Sequence, residues 1–200
     1  MVRKACEYRA DAREMLRDNW GDAVVFTLVN ILIASVVSLI PEVGSIIALF
    51  LIPMNWSYAV AFLDVKRNGG KYDVGKLFVG YNDFGRIFGT HLLEGVYILL
   101  WSLLLIVPGI IKAFSYAMTA YILRDDKELS YNAAIEKSMA MMEGHKLEWF
   151  YLNLSFIGWI LLTILTLGIG CLWVQPYISA SYAQFYEDVK AEYEAKNTVV

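Results

Sequence analysis

Long uncharged stretches alternate with short segments that hold nearly all of the positive charge. Residues 23–40, 43–63, 95–111 and 149–186 contain no Asp, Glu, Lys or Arg. A helix needs about 20 apolar residues to cross a ~30 Å hydrocarbon core. Backbone polar groups in lipid must bond one another, so a chain of this kind spans as helices or as a closed barrel. The ten-residue alternating strands of a barrel do not occur here. Apolar residues make up 58% of the chain and charged residues 18%, against roughly 45–50% and 25% in soluble domains. The pattern predicts an all-α polytopic membrane bundle of six spans, at about 23–40, 44–64, 86–106, 109–124, 148–167 and 170–187.

The turns within each pair of spans are Pro41-Glu42-Val43-Gly44, Val107-Pro108-Gly109 and Gly168-Ile169-Gly170, with Glu42 their only charge. The segments at the opposite ends hold sixteen of the seventeen basic residues, Lys112 being the exception. Basic residues collect on the cytoplasmic side, so both termini are expected inside and almost nothing outside. No cleavable signal peptide is expected, because the first apolar stretch follows a long charged segment. Cys6 falls in an inner segment and Cys171 near the outer face, which excludes a disulfide framework and a cysteine metal site. The net charge of −3 and the mixing of acids with bases give no polybasic patch for nucleic acid.

The chain also repeats itself. Ser57-Tyr58-Ala59, Ser115-Tyr116-Ala117 and Ser181-Tyr182-Ala183 are each followed, nine residues after the serine, by a basic residue: Lys66, Arg124 and Lys190. Asp64-Val65-Lys66 matches Asp188-Val189-Lys190. In the first helix of each pair, Gly21, Gly85 and Gly144 precede Asn30, Glu94 and Asn153 by nine residues. This predicts one integral membrane domain of three hairpin units, 1–66, 67–127 and 128–200. Each unit has an amphipathic lead-in. Residues 3–19 place Tyr8, Ala12 and Leu16 on one face, residues 73–81 place Leu77, Phe78 and Tyr81, and residues 130–143 place Ala134, Ile135 and Ser138. Ser130 is the expected N-cap of the third and Gly144 its C′ glycine. Such helices either lie in the membrane interface or cap the bundle.

Nine residues of helix rise ~13 Å, which places Asn30, Glu94, Asn153, Ser57, Ser115 and Ser181 in one polar layer. Polar side chains in a membrane bundle either bond across helices as structural glue or line a pathway. Recurrence in all three units favours glue, with the amides and the carboxylate bonding serine or tyrosine across helices. Glu94 breaks the symmetry, and His91 lies one turn before it. Lys112, close to a turn, reads as an interfacial anchor.

Family resemblance rests on the stretch Leu103–Leu123 (LLLIVPGIIKAFSYAMTAYIL), on Met142-Glu143-Gly144-His145-Lys146, on Phe156–Gly170 (FIGWILLTILTLGIG) and on AREMLRDNWGDAV around Trp20. These segments resemble a bacterial family of six-span membrane proteins known as domain of unknown function 975. The likeness covers nearly the whole chain. It implies a bacterial inner-membrane protein and carries no substrate, activity or functional residues with it. A looser likeness is to the membrane domain attached to some glycerophosphodiester phosphodiesterases, but the catalytic barrel of those enzymes has no counterpart here.

No HExxH, P-loop, GxSxG or dinucleotide-binding glycine pattern is present. His145 is a lone histidine at a helix end. The expectation is therefore a non-catalytic protein without cofactor or metal, whose partners are the bilayer and other membrane proteins. In that role it organises the membrane or binds a membrane partner. The alternative is a small transporter or channel with Glu94 in its pathway.

Overall fold

A computed structural model describes residues 3–40 and 44–198. Among these the chain is helical, with no strand. Helix α1 (Ala5–Leu16) leads into α2 (Trp20–Ser38), and α3 (Gly44–Leu49) into α4 (Ile52–Asn68). A 3-10 helix, Val74–Asp83, precedes α5 (Phe84–Leu104), which folds back through α6 (Ile106–Tyr116) and α7 (Thr119–Asp125). The last third is α8 (Tyr131–Met141), α9 (Lys146–Leu154), α10 (Ile157–Leu165) and α11 (Cys171–Thr198).

Among the described residues, five segments are long and apolar enough to cross a membrane: Trp20–Val37, Ile47–Asn68, Val74–Leu104, Ile106–Asp125 and Lys146–Leu165. The expected span at 170–187 lies in α11, where Gln175, Pro176, Ser179, Ser181 and Gln184 dilute the apolar run. The expected turn at Pro41–Val43 falls outside the described residues.

The helices divide into two classes. Segments α4, α6–α7 and α11, which carry the three Ser-Tyr-Ala sequences, supply much of the buried core: Met54, Phe62, Leu63, Tyr121, Ile122, Ala180, Phe185 and Tyr186. They touch one another directly. Trp56 Nε1 donates to the Ala120 carbonyl at 2.8 Å, and the Tyr121 and Tyr186 rings stack at 5.0 Å. Helices α2, α5 and α10 turn large apolar side chains outward, including Leu32, Val36, Leu99, Leu103, Leu161 and Leu165. An exterior of this kind suits lipid rather than water.

The lead-ins pack in a cyclic order. The 3-10 helix lies along α4, α8 along α5, α7 and α6, and α1 along α11. The faces of the first and third are taken up by protein: Tyr8, Ala12 and Leu16 are buried, as are Ala134, Ile135 and Ser138. In the middle lead-in Leu77 is buried, while Phe78 and Tyr81 are exposed. The middle lead-in is 3-10 rather than α. Gly80 lies against the Pro53 carbonyl and the Ser57 hydroxyl, where a Cβ has no room.

Several boundaries differ from expectation. The turn between α5 and α6 is at Leu105, in extended conformation. Pro108 is therefore inside the first turn of α6, where its missing N–H leaves no bond unmade. The expected span 109–124 is interrupted at Ala117-Met118, where Ser138 Oγ of α8 accepts from Met118 N. The expected span 148–167 is interrupted at Ser155-Phe156. Ser130 makes no capping bond. Thr90 Oγ1 takes that role, accepting from Tyr131 N at 2.7 Å. Gly144 has a positive φ of 86°, but α8 ends at Met141 with Met142 as its C-cap, so the glycine lies one residue beyond the C′ position expected for it.

Candidate functional site

Each serine of the expected polar layer is buried and bonds within its own helix. Ser57, Ser115 and Ser181 donate to the carbonyls of Pro53, Ile111 and Tyr177, at 2.8, 2.9 and 2.9 Å. A hydroxyl satisfied by the preceding turn exposes no polar hydrogen to an apolar neighbour. Ser57 also accepts from Gly80 N at 2.8 Å, and the Ser115 carbonyl accepts from Ser138 Oγ at 2.9 Å. Two serine positions are thus where a lead-in docks on a core helix.

Contact across each hairpin is made by the neighbouring tyrosine instead. Tyr182 donates to Asn153 Oδ1. The Tyr58 hydroxyl bonds Thr27 Oγ1 at 2.9 Å, one turn before Asn30, and Asn30 Oδ1 is buried without a hydrogen-bond partner. The Tyr116 ring lies 6.5 Å from that of Tyr97. Of the expected bonds from amide or carboxylate to serine or tyrosine, Asn153–Tyr182 is therefore the one formed. Glu94 pairs with His91 of its own helix, Oε2 to Nδ1 at 3.0 Å. His91 borders a crevice of about 340 Å³ with Ile52, Asn55, Trp56, Ala59 and Ala120. Lys112 stands over the Trp101 ring at 5.1 Å and 3.6 Å from Met139 Sδ.

Charge organises the other end of the core helices. Asp125, at the end of α7, is gripped from both neighbours. Arg67 of α4 binds both of its oxygens, Lys190 of α11 donates to Oδ2 at 2.6 Å, and Tyr186 donates to the same oxygen at 2.8 Å. Arg67 Nε also reaches Glu187 of α11 at 2.5 Å. Arg124 of α7 bonds Asp64 of α4, Nη2 to Oδ1 at 2.9 Å. All three pairs among α4, α7 and α11 are therefore bridged. Helix α1 joins through Arg3, which binds Asp188 at 2.6 Å and also binds Asp11. Tyr8 donates to Asp188 at 2.9 Å, and burial pushes its hydroxyl pKa up, so it remains a donor at ordinary pH. Further along α11, donation from Lys196 holds the Glu192 carboxyl down, to about 2.

Sequence periodicity alone does not reveal this latch. Two of its cations, Arg124 and Lys190, are the repeated basic residues nine positions after a serine, and Asp64 and Asp188 belong to the repeated Asp-Val-Lys. Pairing is set by how neighbouring helices are rotated, which one helix period does not reveal. Among the described residues no cluster of three or more His, Cys, Asp or Glu has metal-binding geometry. Cys6 and Cys171 are free.

These features define an all-helical protein with several helices able to span a membrane and an ion-pair latch across its core helices. The chain belongs to the family described as Protein of unknown function (DUF975), whose model matches residues 1–115 and 103–193. No curated protein matches the chain, and no solved structure does.

Proposed function

We propose that this is a non-catalytic, six-span protein of a bacterial inner membrane, with both termini cytoplasmic, that organises the bilayer or docks another membrane protein. Its three hairpins act as repeats of one unit around a pseudo-threefold axis. The carrying observation is the latch: Arg67, Asp125, Lys190, Glu187, Arg124 and Asp64 tie α4, α7 and α11 together at one end. A core fastened at that end and filled with Phe62, Tyr121, Tyr186 and Phe185 suits a rigid scaffold better than alternating halves. The cyclic packing of lead-ins supports the repeat, and sixteen basic residues gathered at the inner ends of the spans support the orientation.

A second reading is a small transporter with Glu94 in its pathway. It is favoured by the His91–Glu94 pair beside the crevice of about 340 Å³. The two readings separate in reconstituted vesicles. The scaffold reading expects no proton or cation flux above empty vesicles, and a Glu94→Gln variant whose stability falls by no more than ~1 kcal/mol. Flux that the parent supports and Glu94→Gln abolishes, in a folded variant, overturns the scaffold in favour of the transporter.

A further inference from the structure

Helix α1 carries Arg9, Arg13 and Arg17 at spacings of four residues, so the three guanidiniums follow one another along a single stripe. The stripe lies beside the buried face of Tyr8, Ala12 and Leu16 that packs on α11. Arg9 is committed: Nη1 donates to the Ser155 carbonyl at 3.0 Å, at the break between α9 and α10, and its Nε is buried with no acceptor. Arg13 and Arg17 are exposed, and no ion pair joins either to another described residue. Glu14 and Asp18 are exposed on the same segment; Glu14 lies ~100° of helical turn from Arg13 and ~60° from Arg17, and Asp18 lies ~100° from Arg17.

Arg13 stands at a cavity of about 310 Å³ whose other lining residues are Trp20, Trp159, Trp173, Val174 and Tyr177. Val174 and Tyr177 are buried and form the floor, while Trp159 and Trp173 are exposed at the rim. The Trp159 and Tyr177 rings meet edge to face at 5.8 Å, which stiffens that wall. Three tryptophans and a tyrosine would also suit a cationic ligand, but the cavity wall is almost wholly apolar and its one charged lining residue, Arg13, is itself a cation, which disfavours one. What fits is an apolar chain against the rings, ending in an anion that Arg13 can reach. Tryptophan and arginine together are also the side chains that settle where headgroup meets hydrocarbon.

We infer that the groove between α1, α2, α10 and α11 binds an anionic phospholipid, with its phosphate on Arg13 and Arg17 and an acyl chain along Trp20, Trp159 and Trp173. The inference rests on the membrane placement proposed above and gives that scaffold a lipid specificity. The planar guanidinium fork can bind two oxygens of a phosphate at once through charge-assisted bonds. Arg13 therefore fixes the headgroup charge and the aromatic wall fixes the requirement for a chain.

Tryptophan fluorescence tests it with the full chain in vesicles of phosphatidylcholine doped with brominated phosphatidylglycerol or brominated phosphatidylcholine. Bromine quenches an indole only in contact. The site predicts about ten-fold stronger apparent binding of the glycerol lipid, the scale of one charge-assisted bond. That preference disappears in the double variant Arg13→Gln, Arg17→Gln and is weakened without being lost in Arg13→Lys, which keeps the charge but not the fork. Equal quenching by both lipids in the parent, which needs no variant to fold, overturns the site while leaving the membrane placement standing. Absence of quenching by either lipid overturns the placement and the site together. Retained preference in a folded Arg13→Gln, Arg17→Gln variant also overturns the site. Displacement by oleate without a preference for phosphatidylglycerol overturns the choice of a phospholipid.

Discussion

Tyr182 does at residue scale what the sequence pattern assigned to the serines. Its hydroxyl reaches Asn153 across the third hairpin, and its ring lies 4.4 Å from that of Trp149. Tyr182→Phe keeps the ring and deletes the bond, so it is expected to lower stability by about 1 kcal/mol, read as a fall in the thermal midpoint in detergent. Asp125→Asn is expected to cost more, about 1.5–3 kcal/mol, because hydrogen bonds to a charged group are lost to Arg67 and Lys190 together. Asp126→Asn serves as its control, since Asp126 pairs more loosely, with Lys137 at 3.5 Å. If both asparagine variants melt together, the latch carries no stability. Sequence made the positions of Ser57, Ser115, Ser181, Asn30, Glu94 and Asn153 legible, and the spacing of their basic partners too. It did not make the bonds legible. Whether a serine faces a neighbouring helix or its own preceding turn depends on side-chain rotation, and the two alternatives leave the same period in the sequence.

Elements were legible where hydrophobic length alone decides them. Helices α2 and α5 fall close to the expected spans because nothing inside them competes with lipid-facing helix. The interruptions at Ala117-Met118 and Ser155-Phe156 lie where another element supplies or takes a bond: Ser138 to Met118 N, and Arg9 to the Ser155 carbonyl. Those partners are 20 and 146 residues away in sequence, beyond any local periodicity. The 3-10 segment shows the same effect. Its apolar spacing was visible, but its tighter winding answers to α4, on which it lies. Gly80→Ala tests that dependence. A Cβ there runs into the Pro53 carbonyl, which belongs to backbone and has no rotamer to escape by. The expected loss is about 1–3 kcal/mol, the usual cost of overpacking. Gly85→Ala, which meets nothing nearby, is expected to leave stability unchanged or to raise it slightly, since alanine favours helix. A Gly80→Ala variant as stable as its parent would separate the 3-10 segment from α4 in the working molecule.

At the scale of the whole molecule the charged latch and the apolar hairpin tips mark two poles, and topology is the property that joins them to a membrane. Leu103, Leu104, Leu105, Ile106 and Val107 are exposed at one tip, and Leu165, Leu167 and Ile169 at another. Arg124 and Lys190 sit at the far ends of the same hairpins, within the latch that Arg67 completes. A bilayer accepts the first group and rejects the second, so the tips should cross and the latch should stay on the side of synthesis. Labelling of single cysteines decides this, in a background where Cys6 and Cys171 are replaced by serine. Ile169→Cys lies in the turn between α10 and α11, and Lys127→Cys lies beyond the end of α7; both positions are exposed. A membrane-impermeant maleimide applied to intact cells should reach Ile169→Cys and leave Lys127→Cys unlabelled until the cells are opened. The reverse pattern would invert the molecule and place the arginine stripe of α1 on the outer side. Labelling of both positions in intact cells would mean that the α10–α11 hairpin does not cross. That outcome would remove the fifth and sixth spans together, Lys146–Leu165 and the run that α11 dilutes with Gln175, Ser181 and Gln184, and would leave four of the five long apolar segments to carry the chain through the bilayer.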